Sequence, residues 1–249
     1  MEGVSVDIAD AVATIAFGNG ERLNALGMEQ WDELGRAARE LASADSVRAV
    51  VVRGRGGMFS AGSDLREWEA AEPDEVTQRF WRMEQALRAI EDLPMPTVAV
   101  VEGVAAGGGF QLALACDLQL TAASARVGMP ISRLGILVPP SFAARLSLRV
   151  GPSRAKDLLY GGRILTGKEA HDVGLVTTLA ADGEVDAGLD ALLETWAGVA
   201  QGSLRAAKAA VDQGLVPLVG PVREVPPGLA TDPEEFPKRV AAFLRRHRH

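Results

Sequence analysis

The chain opens on alternation with a period of two. Residues 4–8 (Val-Ser-Val-Asp-Ile) and Val12–Phe17 each set apolar side chains on one side of an extended backbone, with Asp10 between them, so the pattern predicts a β-hairpin. The period then lengthens. Met28, Trp31, Leu34, Ala38 and Leu41 recur at spacings of three and four, which predicts an amphipathic helix over Met28–Ala42. Two short β-branched runs, residues 47–52 and Thr97–Val101, each closed by a glycine turn, predict buried parallel strands. Between them Phe80, Met83, Leu87 and Ile90 predict a helix over residues 76–93, stopped by Pro94 and Pro96. A helix over residues 110–116, directly after a glycine cluster, and a strand over Leu118–Ala122 complete an alternation that predicts an α/β fold with right-handed crossovers.

Beyond about residue 150 the pattern is helical: residues 153–160, 167–173, 185–199, 203–213 and 233–246. The Pro/Gly-rich stretch 216–228 reads as a loop or linker between the last two. No repeat of solenoid period is found, and the expected organisation is a core over residues 1–195 with a helical region over 196–249.

Charge narrows the function classes. The 26 Lys and Arg against 33 Asp and Glu leave the chain acidic, at −7, and its one dense basic run is 245–249, which reads as a solvated tail; no nucleic-acid partner is expected. The single cysteine, Cys116, lies in an apolar run and reads as a core residue without thiol chemistry. His171 stands alone on its helix and His247 and His249 lie in the tail, so no metal site is expected. The N-terminus lacks a basic leader followed by an apolar run, and no stretch reaches the ~18 to 20 apolar residues that span a bilayer, which points to a cytoplasmic protein without a membrane partner.

The chemistry concentrates in two strand-turn-helix junctions, Phe59-Ser60-Ala61-Gly62-Ser63-Asp64-Leu65 and Gly103-Val104-Ala105-Ala106-Gly107-Gly108-Gly109-Phe110-Gln111. Small residues let backbone N–H groups approach a ligand, and Gly107, Gly108 and Gly109 at a helix start form an anion-binding nest or, equally, a close-packed turn. In this order, the two junctions resemble those of the crotonase, or enoyl-CoA hydratase/isomerase, superfamily. The resemblance extends to Arg22-Leu23-Asn24-Ala25-Leu26, to the strand leading into the first junction, to Pro94-Met95-Pro96-Thr97-Val98-Ala99, and to Leu165-Thr166-Gly167-Lys168-Glu169-Ala170 with Gly174-Leu175-Val176. It implies a crotonase-like spiral of ββα units, a C-terminal helical trimerisation region, a homotrimer or a hexamer built as a dimer of trimers, and an acyl-CoA thioester substrate with coenzyme A as part of the substrate and no other cofactor. It also implies an oxyanion hole made by the N–H groups of Ser63 and Gly108, and coenzyme contacts from Arg22, Leu23, Ala61, Asp64 and Leu65. Asp64 reads, independently, as a helix cap.

The sequence leaves the family pattern where hydratases carry two glutamates that handle water. Those positions hold Gln111 and Ile131, and neither side chain exchanges a proton near neutral pH. A shift of one or two places in the correspondence would bring Ser132 or Arg133 to the pocket instead. Leu137-Val138-Pro139-Pro140 replaces a glycine-rich turn, so the pocket wall is expected to differ. Standard hydration is therefore disfavoured. Decarboxylation, isomerisation or C–C cleavage are favoured over it; isomerases often use only the second carboxylate, a route that Ile131 also removes, and decarboxylation fits best because loss of CO2 generates an enolate without a base. Further candidates to donate a proton or hold a carboxylate are Ser63, Glu67 and Glu69, the two glutamates reading otherwise as solvated charges. The alternative is a non-catalytic acyl-CoA-binding or assembly subunit. Gly162 to Glu169 nearly spells a phosphate loop but has glutamate in place of the metal-binding hydroxyl, and Ser60, Ser63 and Ser141 lack the motif and the histidine of a serine hydrolase.

Overall fold

A computed structural model of the protein describes residues 3–69, 71–224 and 230–246. Strands β1 (Ser5–Ala9) and β2 (Val12–Phe17) form the expected hairpin, closed by Asp10 and Ala11 with φ of 49° and 65°, the left-handed pair that matches strand twist in a two-residue loop. Helix α1 (Met28–Ala42) follows, then β3 (Ala49–Gly54), α2 (Pro73–Glu91), β4 (Thr97–Val101), β5 (Val104–Ala106), α3 (Gly108–Ala115), β6 (Leu118–Ala122) and β7 (Arg126–Gly128). The second half contains α4 (Pro140–Gly161), β8 (Ile164–Thr166), α5 (Gly167–Asp172), β9 (Thr178–Ala180), α6 (Val185–Ala197), α7 (Gln201–Glu224) and α8 (Glu235–Arg246).

Two sheets result. The larger has the order β1-β2-β3-β4-β6-β9, with β1 antiparallel to β2 and every other pair parallel. The smaller has the order β5-β7-β8 and is extended by isolated parallel bridges from Ser60 to Ala105 and from Leu26 to Ser63. A repeat is thus visible: a strand of the large sheet, an extended stretch of the second layer, then a helix. β2, Leu26 and α1 make one turn, β3, Ser60 and α2 the next, then β4, β5 and α3, then β6, β7 and α4. This is the α/β spiral of ββα units. Trp31 and Leu34 of α1 and Phe80, Met83, Leu87 and Ile90 of α2 are buried in the apolar core, with Trp31 and Met83 against Gly108 of α3 and Phe80 against Trp68 and Phe142.

Several boundaries differ from the sequence reading. The strand expected over 47–52 begins at Ala49, because Val47, though buried, closes a turn through its N–H to Ala44. The helix expected over 153–160 is the second half of α4, which bends at Gly151 (φ 75°), immediately before Pro152. The stretch expected to be a loop from residue 216 is helical through Glu224. Pro217 and Pro221 lie inside this helix, and each removes one i→i−4 hydrogen bond without ending it. Residues 225–228 of that stretch and His247 and His249 lie outside the described residues. The expected core boundary at 195/196 falls in the last turn of α6. Among the described residues no helix is long and apolar enough to cross a membrane, and no group of His, Cys, Asp or Glu could hold a metal ion.

Candidate active site

The two glycine junctions meet where the second layer is built. Ser60 N–H donates to Val104 (2.8 Å) and Ala106 N–H donates to Ser60 (2.9 Å), which lays the first junction along β5. Gly62 has φ 99°, and a Cβ there would stand 2.7 Å from the Ala106 oxygen and 3.0 Å from the Gly108 nitrogen, so no side chain fits between the junctions. Gly107 caps α3 with φ 53°, and its carbonyl accepts the Gln111 N–H at 3.0 Å. Peptide planarity then points the Gly108 N–H the opposite way, out of the helix N-terminus. The three consecutive glycines have separate reasons. Gly107 needs its backbone conformation, Gly108 packs against Trp31 and Met83, and Gly109 lies so close to Ser60 that a Cβ would collide with that residue's carbonyl. Of the two sequence readings, the close-packed turn describes Gly108 and Gly109.

Among the described residues neither the Ser63 N–H nor the Gly108 N–H meets a protein acceptor. The Ser63 hydroxyl faces the Met83 sulfur at 3.6 Å, a weak acceptor, and a Cβ on Gly108 would lie 3.5 Å from that hydroxyl. Two unengaged amides therefore stand side by side, one at the positive end of a helix.

Gln111 and Ile131 are both buried beside this turn. Ile131 belongs to the 3₁₀ turn Pro130–Leu134, and its Cγ2 would be 3.8 Å from a Cβ on Gly107. Ser132 and Arg133 face elsewhere: the Ser132 hydroxyl and the Arg133 side chain lie against Gly162 at the end of α4. Gln111 is fully enclosed. Its Nε2 faces the Met129 sulfur and the Phe142 carbonyl, each at 3.4 Å, and its Oε1 accepts from Arg145 at 3.5 Å.

Arg145, which the motif reading missed, is the centre of a buried charge cluster. It donates to Glu84 at 2.8 and 2.9 Å and to Glu91 at 2.6 and 3.1 Å, and Arg88 donates to Glu84 at 2.9 Å. Burial works against the Glu84 charge, but hydrogen bonds and attraction from Arg145 and Arg88 outweigh it and hold the carboxyl below its usual range. Burial opposes the Arg145 charge as well, and Glu91 and Glu84 together raise its pKa above the ordinary guanidinium value. The signal was present in the sequence: Arg145 is a charge inside Phe142-Ala143-Ala144-Arg145-Leu146, and Glu84, Arg88 and Glu91 recur at helical spacing. One helical turn further along α4, Arg149 donates to Gln119 Oε1 of β6 (2.9 Å) and, at the far end of α3, to the carbonyls of Leu114 (2.9 Å) and Cys116 (3.1 Å).

The residues expected to contact coenzyme line the approach to the first junction. Leu23 is exposed, and its carbonyl accepts the Ala61 N–H at 2.8 Å. Arg22 pairs with Asp64 at 2.7 Å, and Asp64 also holds Arg66 at 2.6 Å while capping the 3₁₀ turn Leu65–Trp68 through the Arg66 N–H. Leu65 packs on the core edge. Glu67 accepts the Met28 N–H at 3.0 Å, so it caps α1. Ser60 Oγ is buried between the Asn24 carbonyl and the Gly62 N–H, which leaves no nucleophile there. The near phosphate loop is a helix start, with Thr166 and Glu169 forming a capping box on α5. Burial pushes the Cys116 thiol up to about 12, as for an inert core cysteine.

A spiral of ββα units with two glycine turns meeting at a helix N-terminus defines a class of fold, and the sequence profile of the family described as Enoyl-CoA hydratase/isomerase matches residues 7–222. The chain belongs to that family. It is 36% identical over 200 residues to the mitochondrial methylglutaconyl-CoA hydratase of Mus musculus, covering 77% of this chain and 63% of that protein. It is 35% identical over 185 residues to a probable enoyl-CoA hydratase of Bacillus subtilis (strain 168), covering 73% of this chain and 70% of the other. A solved structure of an enoyl-CoA hydratase/carnithine racemase from Magnetospirillum magneticum superposes with a TM-score of 0.84 at 28% identity, covering 88% of this chain and 83% of that one. The chain thus spans less than two thirds of the length of the mouse protein.

Proposed function

We propose that the chain binds an acyl-CoA thioester with its carbonyl oxygen between the Ser63 and Gly108 amides and stabilises an enolate there, in decarboxylation, isomerisation or C–C cleavage. Coenzyme A enters as part of the substrate, with Arg22, Leu23, Ala61, Asp64 and Leu65 on its path. The observation that carries the reading is the pair of unengaged amides beside a Gln111 and an Ile131 that cannot move protons, which favours decarboxylation within this set because loss of CO2 forms the enolate with no proton abstracted. Each donor aimed at a developing oxyanion contributes about 3 kcal/mol, so the chemistry needs no side chain at the hole. Several relatives carry the name hydratase. Water addition calls for a general base that activates water at the β-carbon and an acid that protonates the α-carbon, and the two positions that would supply them here are an amide held by its neighbours and a hydrocarbon. A second reading, a non-catalytic acyl-CoA-binding or assembly subunit, draws on the same two positions.

The test is incubation with enoyl-, malonyl- and methylmalonyl-CoA in heavy water, followed by product masses. Deuterium gained at Cα, with or without loss of CO2, is the expected result, and Gly62→Ala is expected to lower that rate about 100-fold or more. Addition of water would overturn the reading. Unchanged masses with tight binding would replace it by the binding subunit.

A further inference from the structure

Three consecutive non-glycine residues, Arg22, Leu23 and Asn24, have φ of 48°, 54° and 51°. Left-handed backbone is unfavourable for each of them and persists only where the surroundings hold it. The holder is the Asn24 side chain, which is 2% exposed. Its Oδ1 accepts the N–H groups of Asn19 (3.1 Å) and Gly20 (2.8 Å), and its Nδ2 donates to the carbonyls of Arg55 (2.8 Å) and Met58 (2.6 Å). Two donors and two acceptors are the full capacity of an amide, and all four reach backbone on either side of the turn.

What the turn holds in its own right is the first glycine junction. The Leu23 carbonyl accepts the Ala61 N–H at 2.8 Å, and the Asn24 carbonyl accepts the Ser60 hydroxyl at 2.8 Å, which in turn accepts the Gly62 N–H at 3.0 Å. Just downstream, Leu26 N–H donates to the Gly62 carbonyl at 2.8 Å, and the Leu26 carbonyl accepts the Asp64 N–H at 2.9 Å. The amides on both sides of Ser63 and the carbonyl preceding it are therefore tied to residues 23–26. In a trans peptide the N–H lies antiparallel to the C=O, so a Gly62 carbonyl fixed toward Leu26 sends the Ser63 N–H away from that segment.

We infer that Asn24 is a positioning residue for catalysis: by locking the left-handed turn it sets the direction of the Ser63 N–H donor. The inference rests on the proposed role of that amide. Asn24 touches no substrate; it acts through Ser60, Gly62 and Leu26. An oxyanion donor is effective only when its direction is set before the charge develops, which is why a buried amide two steps away matters to rate.

The experiment uses saturated butyryl-CoA with an isotope-labelled thioester carbonyl, whose infrared band moves to lower wavenumber when amides donate to it. Two variants separate the links. Asn24→Gly keeps the freedom to adopt positive φ and removes the amide; Ser60→Ala removes the hydroxyl between the Asn24 carbonyl and the Gly62 N–H. In the unmodified protein the bound band is expected to be displaced, and in both variants at least half of the displacement is expected to be lost. The Ser60→Ala variant should also lose about tenfold or more in kcat for decarboxylation of malonyl-CoA, where loss of CO2 supplies the enolate, while its Kd for free coenzyme A stays within about threefold. Where Asn24→Gly does not fold, Ser60→Ala decides. An unchanged band in a folded variant, against a displaced band in the unmodified protein, overturns the positioning role alone. No displacement in the unmodified protein overturns the proposed oxyanion hole, and the positioning role with it.

Discussion

Gln111 places its amide oxygen toward Arg145 and its nitrogen toward Phe142 and Met129, and Ile131 offers only hydrocarbon to Gly107. Restoring carboxylates tests whether these side chains decide the reaction. A glutamate at 111 would sit against Arg145, which stabilises its ionised form. The double substitution Gln111→Glu with Ile131→Glu is expected to introduce hydration of a short enoyl-CoA at least about 100-fold above the unmodified protein, followed by loss of enoyl absorbance. A folded double variant without hydration would count against the correspondence of these two positions with the family glutamates. At this scale the glycine turns were legible because they act through backbone, and small residues in order are visible in a string. The cluster of Arg145 with Glu84 and Glu91 was not, because it joins residues some sixty positions apart that carry no motif. Asn24 was visible as part of a motif, while its four hydrogen bonds were not.

Several elements of five residues or more could be read from periodicity, as β1, β2, β4, β6 and α1 show. The three-residue strands β5, β7, β8 and β9 could not, since three positions hold barely one period of alternation. The whole second layer was hidden for that reason, although it carries both glycine junctions. Helix α4 was half seen: its first half contains a buried arginine that breaks the apolar pattern. That arginine joins α4 to α2, and the joint is pH-dependent. Because Glu84 keeps its charge to lower pH in the folded chain than in the unfolded one, its contribution is complete above the ordinary value of 4.5 and is lost as pH falls through the lowered folded value. The denaturant midpoint is expected to drop over that acidic window, and Glu84→Gln is expected to drop less over the same window while being less stable at neutral pH, by about 3 kcal/mol for an unmade buried pair.

Over the whole molecule, the C-terminal segment returns to the site. Thr231 bridges to Ile136, and α8 buries Phe236 and Val240, with Phe236 beside Trp68 at 6.2 Å between rings. Helix α7 behaves differently. Lys208 anchors it to Asp117 at 3.0 Å, yet Val211, Val216 and Leu218 remain 63%, 56% and 65% exposed. Val211 and Leu218 share one side of the helix and Val216 lies on another, and exposed apolar side chains of this kind are where the trimer or hexamer implied by the sequence resemblance is expected to make contact. Light scattering is expected to give three or six chains, and Val216→Glu with Leu218→Glu to reduce the assembly; a monomeric unmodified protein would sink this expectation. The family was legible from end to end, whereas assembly depends on a second chain. Arg149 has a consequence of another kind. Its guanidinium covers the carbonyls where α3 ends, so a positive charge opposes the negative pole of that helix. In the proposed complex, a thioester oxygen at Gly108 therefore meets a positive pole that the far end of the helix offsets less.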